Sequence, residues 1–398
     1  MLWVQNVFCT GKVTSILCLI TVMNKIIPFL FCSTLVSCFS SKNVSLQTIN
    51  SIKFVDEYVL PHKLLFKGTT VGGLSSIDYN RKENVFYMIC DDRSDINPIR
   101  FYTAKIKFTK KGIDTVDFVG VTNLLQQNGQ AFYNRKQNPV GVPDPEALRF
   151  NPVRKTLVWG SEGERTIRKD QAVLTDPALR VAAQNGQWLD SFTLPRNMRM
   201  TATTAGPRNN EVFEGIAFST DFKKLFVSVE GPLYEDGPRP GLFDSAGWAR
   251  IIQYDAESKL PEAQYAYRLD PVVQEPISEG LFIVNGITDI LAINDHQLLV
   301  TERSFSTGRL GNNIRLYLVD ITGADNISSV TSLNKTPPLK PLQKKLVLDM
   351  DRLGRLIDNI EGATFGPRLP NGKRSLLFLA DDNFSPSQKT QFLLFEVE

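Results

Sequence analysis

From about residue 52 to its end, the chain is a succession of short apolar runs, each bounded by Gly, Pro, Asp or Asn. β-Branched and aromatic residues dominate them, as in the Lys-Leu-Phe-Val-Ser-Val-Glu of residues 224–230. Such side chains suit a pleated surface and lose χ1 freedom in a helix, so the runs predict strands. The best helical candidate, residues 175–185, is short and carries Pro177.

The runs come in fours, and the fours repeat. Five openings recur at about 70-residue intervals: Gly72-Gly73-Leu74, Glu146-Ala147-Leu148, Glu214-Gly215-Ile216, Asp289-Ile290-Leu291 and Glu361-Gly362-Ala363. In the third unit the strands are expected at residues 214–219, 224–230, 249–255 and 264–269. A period of this kind decides the architecture before any local motif does. Antiparallel four-strand units repeated radially predict an all-β fold, a β-propeller. The count is five blades, or six if a long insertion hides another. After Glu361 only three strands remain, so residues 52–60 are expected to supply the fourth. Pairing the N- and C-terminal strands closes the ring and removes its open edges. The small residue after each acid (Gly73, Ala147, Gly215, Gly362) fits innermost strands crowded at the axis.

A second acidic column follows the second strand of each unit. It comprises Asp91, Glu162, Glu230, Glu302 and Asp381. In a hairpin the start of one strand and the end of the next share an edge, so both columns are expected on one face near the axis. Glu146, Glu214, Asp289 and Glu361 would meet the second column there. So many carboxylates in one place require raised pKa values or cations. Oxygen ligands select Ca²⁺ or Mg²⁺ over Zn²⁺, and with only two histidines, His62 and His296, an imidazole-rich centre is excluded. Arg93, Arg165 and Arg303 sit beside the acids. They would either bind an anionic group such as phosphate or pair with the carboxylates.

Composition narrows the partners. The formal net charge is +3, from 45 basic and 42 acidic residues, and there is no basic stripe with interleaved aromatics, so nucleic acid is not expected. No Gly-x-Ser-x-Gly elbow, P-loop or Rossmann fingerprint occurs. Cys9, Cys18, Cys32 and Cys38 lie near the N-terminus, and only Cys90 lies beyond, in an apolar strand as a small buried hydrophobe. Residues 1–38 are expected to be an export signal of lipoprotein type, with translation starting at Met23. An apolar run at residues 26–36, too short to span a bilayer, leads to Leu35-Val36-Ser37-Cys38. Cys38 would be lipidated in a bacterial cell envelope, residues 39–51 would be a linker, and 52–398 a single domain.

The strings Gly72-Gly73-Leu74-Ser75-Ser76-Ile77-Asp78, Asp91-Asp92-Arg93-Ser94, Asp144-Pro145-Glu146-Ala147-Leu148, Glu214-Gly215-Ile216-Ala217-Phe218, Asn312-Asn313-Ile314-Arg315-Leu316-Tyr317, Asn359-Ile360-Glu361-Gly362-Ala363 and Leu379-Ala380-Asp381-Asp382-Asn383 resemble the phytase-like family, described by an esterase-like activity of phytase. The resemblance runs from about Phe66 to the C-terminus and implies ester or phosphoester hydrolysis through recurrent Glu and Asp residues. The chain departs from the acid pattern at its first repeat, where Gly72 stands in for Glu. The expectation is an exported phosphoester hydrolase. Its metal ligands would be Asp91, Glu146, Glu162, Glu214, Glu230, Asp289, Glu302, Glu361 and Asp381. Glu146, Glu214, Glu361 and Arg303 would be catalytic, and Arg93, Arg165 and Arg303 would bind a small anionic substrate. The alternatives are a non-catalytic ligand-binding lipoprotein with a structural ion, and a propeller lactonase or carboxylesterase.

Overall fold

In the computed structural model, which describes residues 49–398 except 139–140, 170 and 245–246, five antiparallel four-stranded sheets form a five-bladed β-propeller. From inner to outer strand, blade 1 is Leu74–Asn80, Val85–Cys90, Arg100–Thr109 and Gly112–Asn123. Blade 2 is Pro145–Asn151, Thr156–Ser161, Ala178–Ala183 and Trp188–Ser191, with an extra hairpin, Glu164–Arg168 and Gln171–Thr175, before its third strand. Blade 3 is Phe213–Phe218, Lys224–Val229, Trp248–Asp255 and Pro261–Arg268, and blade 4 is Ile283–Ala292, Gln297–Ser306, Asn313–Asp320 and Gln343–Asp349. Blade 5 takes Asn359–Phe365, Arg374–Asp381 and Gln391–Val397 from the C-terminal end, and Ile52–Val59 from the N-terminal end as its outer strand. The closing register runs from Ile52 opposite Val397 to Val59 opposite Gln391. The helical candidate at residues 175–185 is instead blade 2's third strand. Pro177 precedes it and Val181 lies opposite Val158 across the sheet, so tertiary pairing overrides a weak local helical pattern.

Each pair of neighbouring blades encloses one apolar cluster. Ile77 and Phe86 meet Leu377 and Phe392 between blades 1 and 5. Ile216 and Leu225 meet Val158 and Leu179 between blades 3 and 2, and the other three seams are built alike. The core is therefore radial, and the inner strands are pressed together at the axis. A Cβ on Gly215 would lie 2.7 Å from the Ile290 nitrogen of the next blade, and one on Gly362 would lie 3.0 Å from the Ile77 nitrogen. Those glycines are required by packing, whatever the site above them does.

Every inner strand carries a register shift, near its start in four blades and midway along the longer inner strand of blade 4. The shifts fall between Leu74 and Ser76, Pro145 and Leu148, Phe213 and Gly215, Ile287 and Asp289, and Ile360 and Gly362. A bulge re-aims the side chain it leaves unpaired. In blades 3 and 5 that residue is Glu214 or Glu361, and in blade 2 Glu146 lies in the shifted stretch. In blade 1 it is Ser75 and in blade 4 it is Thr288.

Below the bulges a single side chain closes the axis. Arg149 of blade 2 is buried and donates from Nη2 to both Asp289 oxygens of blade 4, at 2.7 and 2.8 Å. Its Nη1 donates to Ser76 Oγ and the Ile77 carbonyl of blade 1, each at 3.0 Å. Asp289 also accepts from the Ile290 and Ala363 backbone N–H groups.

Candidate functional site

The hairpin geometry puts both acidic positions of each blade at one end of the axis. At the end of each second strand, Asp91, Glu162 and Glu230 donate their backbone N–H to the residue heading the adjacent inner strand, namely Gly73, Asp144 and Val212. Asp381 faces Asn359 in the same way. In blade 4 the residue at this position is Arg303, which faces Gly286. The ring is thus Asp91, Glu162, Glu230, Arg303 and Asp381. The bulge positions add Ser75, Glu146, Glu214, Thr288 and Glu361. Blade 4 contributes a cation and a hydroxyl where the others contribute mostly acids.

Two expected ligands consequently lie elsewhere. Asp289 is one residue past the bulge, where blades 3 and 5 have Gly215 and Gly362, and it is held by Arg149 inside the axis. Glu302 is one residue before the ring position and points between blades 3 and 4. There it accepts from Tyr267 Oη, Lys344 Nζ and Asn285 Nδ2, each at 2.6 Å. A strand's side chains alternate faces, so a slip of one residue moves a side chain to the other face. Arg165 is also elsewhere. Its guanidinium donates to the Thr201 and Thr203 carbonyls and to Tyr234 Oη, and it stacks on the Tyr234 ring. Gly72 is not the first blade's counterpart of the bulge acids; Ser75 is.

The remaining acids converge. Asp91, Asp144, Glu146, Glu214 and Glu361 line an open pocket of about 410 Å³, together with Arg93 and Arg303, and with Ile96 and Phe384 among the residues around them. Glu162, Glu230 and Asp381 are buried beside them. Asp144 belongs to neither acidic column and stands in the sequence as the Asp of Asp-Pro-Glu at the start of blade 2. Arg303 is clamped by Glu230 at 3.0 Å and Glu361 at 2.6 Å, with Asn359 as a further partner. Arg93 reaches Glu164 at 2.7 Å and Asp144 at 3.3 Å. Glu162 Oε2 and Asp381 Oδ2 are buried without a hydrogen-bond partner.

Burial and mutual repulsion push these carboxyls up. Glu162 rises to about 8, first by burial and then by the charges of Glu230 and Asp144. Glu230 rises to about 7 because burial outweighs Arg303. Glu146, Glu214, Asp91 and Asp381 are raised well above the usual carboxylate range, also by burial first and then by their acidic neighbours.

A pH dependence follows. Between the usual value of 4.5 and about 8, the metal-free folded protein keeps a proton on Glu162 that the unfolded chain releases. The folded state binding more protons means that stability falls as pH rises through this window. The melting temperature of metal-free protein should drop from about pH 5 to about pH 8, and Glu162→Gln should flatten that slope. A wild-type slope no steeper than the variant's contradicts this.

Among the described residues, two groups of carboxyls have ligand atoms mutually within 4.8 Å: Asp144, Glu146 and Glu162, and Glu162, Glu214 and Glu230. The donor set is all oxygen and suits a hard divalent cation. The unpartnered Glu162 oxygen is the kind of group that a cation would satisfy.

None of the curated proteins compared with the chain matches it. Among solved structures, an α-L-arabinofuranosidase from Lactobacillus brevis is similar at 9% identity and a TM-score of 0.44, over 85% of this chain and 92% of that one. An endo-arabinase from Bacteroides thetaiotaomicron is similar at 12% identity and a TM-score of 0.42, over 86% and 97%. A gluconolactonase from Xanthomonas campestris is similar at 9% identity and a TM-score of 0.34, over 89% and 99%. The family comparison is decisive: residues 69–384, nearly the whole ring, match the phytase-like model described as esterase-like activity of phytase, and the chain belongs to that family.

Proposed function

We propose that this protein is a divalent-cation-dependent hydrolase of small anionic phosphoesters. The observation that carries this reading is the convergence of Asp91, Asp144, Glu146, Glu162, Glu214, Glu230, Glu361 and Asp381 at an open pocket lined by three arginines, Arg93, Arg303 and Arg135, the last paired with Asp95. Family membership supports hydrolysis of an ester bond. An anion cannot enter a ring of bare carboxylates, so the same acids that repel a phosphate must first be neutralised.

Asp144, Glu146, Glu162, Glu214 and Glu230 would hold the cation, Ca²⁺ by preference and Mg²⁺ otherwise. Bound there, it would polarise a phosphoryl oxygen and lower the pKa of a water. Glu361 and Glu230 fix Arg303 in one orientation on the pocket wall, and Asp144 and Glu164 do the same for Arg93. Arg93 and Arg303 would supply positive charge beside the substrate. Glu146 and Glu361, only partly buried, are the carboxyls with access to take or return a proton.

The clamped state of Arg303 also favours a second reading, a binding propeller with a structural ion, because its guanidinium is already engaged. Chelation separates the two. Under the hydrolase reading, removing the ion should abolish turnover of a phosphomonoester or diester, and restoring Ca²⁺ should recover it. A chelator that lowers the melting temperature of a protein that turns over no ester identifies a structural ion. We also propose export with a lipid anchor at Cys38, which lies outside the described residues. Mass spectrometry of the mature N-terminus tests it, and an unlipidated protein cut at another site refutes it.

A further inference from the structure

We infer that the acid ring holds two divalent cations bridged by Glu162. This rests on the reading of the ring as a divalent-cation site and concerns how many ions it takes and what joins them. The two carboxyl groups described above have Glu162 in common. Blade 2 supplies Asp144 and Glu146 on one side of it, and blade 3 supplies Glu214 and Glu230 on the other. Glu162 is only 1% exposed. Its Oε1 accepts from the Val212 N–H at 2.5 Å, which fixes the carboxylate plane, and its Oε2 is buried with no partner. A carboxylate has about four lone-pair sites, so one backbone contact leaves the group free to bridge.

The layout of the two triads favours a second ion. A single cation in one triad leaves the two carboxyls that belong only to the other without that ion. Blade 4's ring residue Arg303 pairs with Glu230 and Glu361 but makes no ion pair with Asp144, Glu146, Glu162 or Glu214. Thr288, at blade 4's bulge, carries no charge. Both ions therefore lie toward blades 2 and 3, and Arg303 bounds them on the blade 4 side. Ions sharing one carboxylate sit about 3.5–4 Å apart, a spacing that serves both the attacking and the leaving oxygen of a phosphoryl displacement.

Mn²⁺ alone is the probe. Metal-free wild-type protein titrated with Mn²⁺ should bind two ions per chain by calorimetry, and its electron paramagnetic resonance spectrum should show a spin-coupled pair. Glu162→Gln should lose the coupling and weaken binding by roughly 10–100-fold or more. Asp144→Asn and Glu230→Gln each disturb one triad only, and each should keep one ion with an isolated-ion spectrum. These two variants decide the matter even if Glu162→Gln fails to fold. One Mn²⁺ per chain at saturation, two uncoupled ions, or coupling that survives in Glu162→Gln overturns the bridge. A one-ion protein that still hydrolyses a phosphoester loses the bridge but keeps the proposed function. A protein that binds no ion loses both.

Discussion

Replacing Arg149 by methionine should destabilise the folded ring by roughly 3–5 kcal/mol, the usual result of removing one partner of a buried ion pair. The Arg149 and Asp289 side chains are only 4% and 2% exposed. Methionine fills much of the volume but leaves the Asp289 charge without its guanidinium. It also strips a donor from Ser76 Oγ and the Ile77 carbonyl. Because those partners belong to different blades, the loss falls on the contact that joins the inner strands across the axis. The double variant Arg149→Met, Asp289→Asn should cost less than Arg149→Met alone, since no buried charge is then orphaned. Urea unfolding of the set measures both effects. A loss below about 1 kcal/mol for the single variant would mean that the pair is not an anchor of the ring.

Glu214→Gln should split stability from metal binding. Glu214 is buried at the bulge, and burial plus the charges of Glu162, Glu230 and Glu361 raise its pKa well above normal. A neutral side chain of the same size removes that repulsion, so metal-free protein at neutral pH should melt higher than wild type. The same change removes an anionic ligand. Cation affinity should fall at least by the roughly 10–100-fold that loss of merely supporting contacts costs, and phosphoester turnover should fall with it. Differential scanning calorimetry with and without Ca²⁺, beside a rate assay, tests this. Equal Ca²⁺-induced shifts in wild type and variant would remove Glu214 from the cation site.

The blades were legible because their signal is local. Strands 224–230 and 249–255 were placed to within a residue of Lys224–Val229 and Trp248–Asp255, since branched residues and turn residues mark a strand's ends without reference to its partners. The closing strand was legible by subtraction, because blade 5 lacked a fourth strand. The bulges were not, because nothing in Ile287-Thr288-Asp289 says which residue the ladder skips. That single uncertainty displaced Asp289 into the expected ring, and a one-residue slip on the next strand put Glu302 where Arg303 stands. Arg149 was invisible for another reason. Its partner lies 140 positions away, and only closure of the ring brings the two together.

The way the ring is closed also orients the molecule. In blade 5, Val397 lies opposite both Arg374 and Ile52, at the end of the sheet remote from Asp381 and the acid ring. The Asn50 N–H donates to the Glu398 carbonyl at 2.6 Å, so the first described residues and the last meet at this far end. A bead or fusion partner coupled after Glu398 would therefore hold the ring at the end remote from the acidic pocket. The acidic pocket then opens away from that support, so a tethered copy, whether on a surface, a bead or a fusion partner, presents its site to the bulk solution.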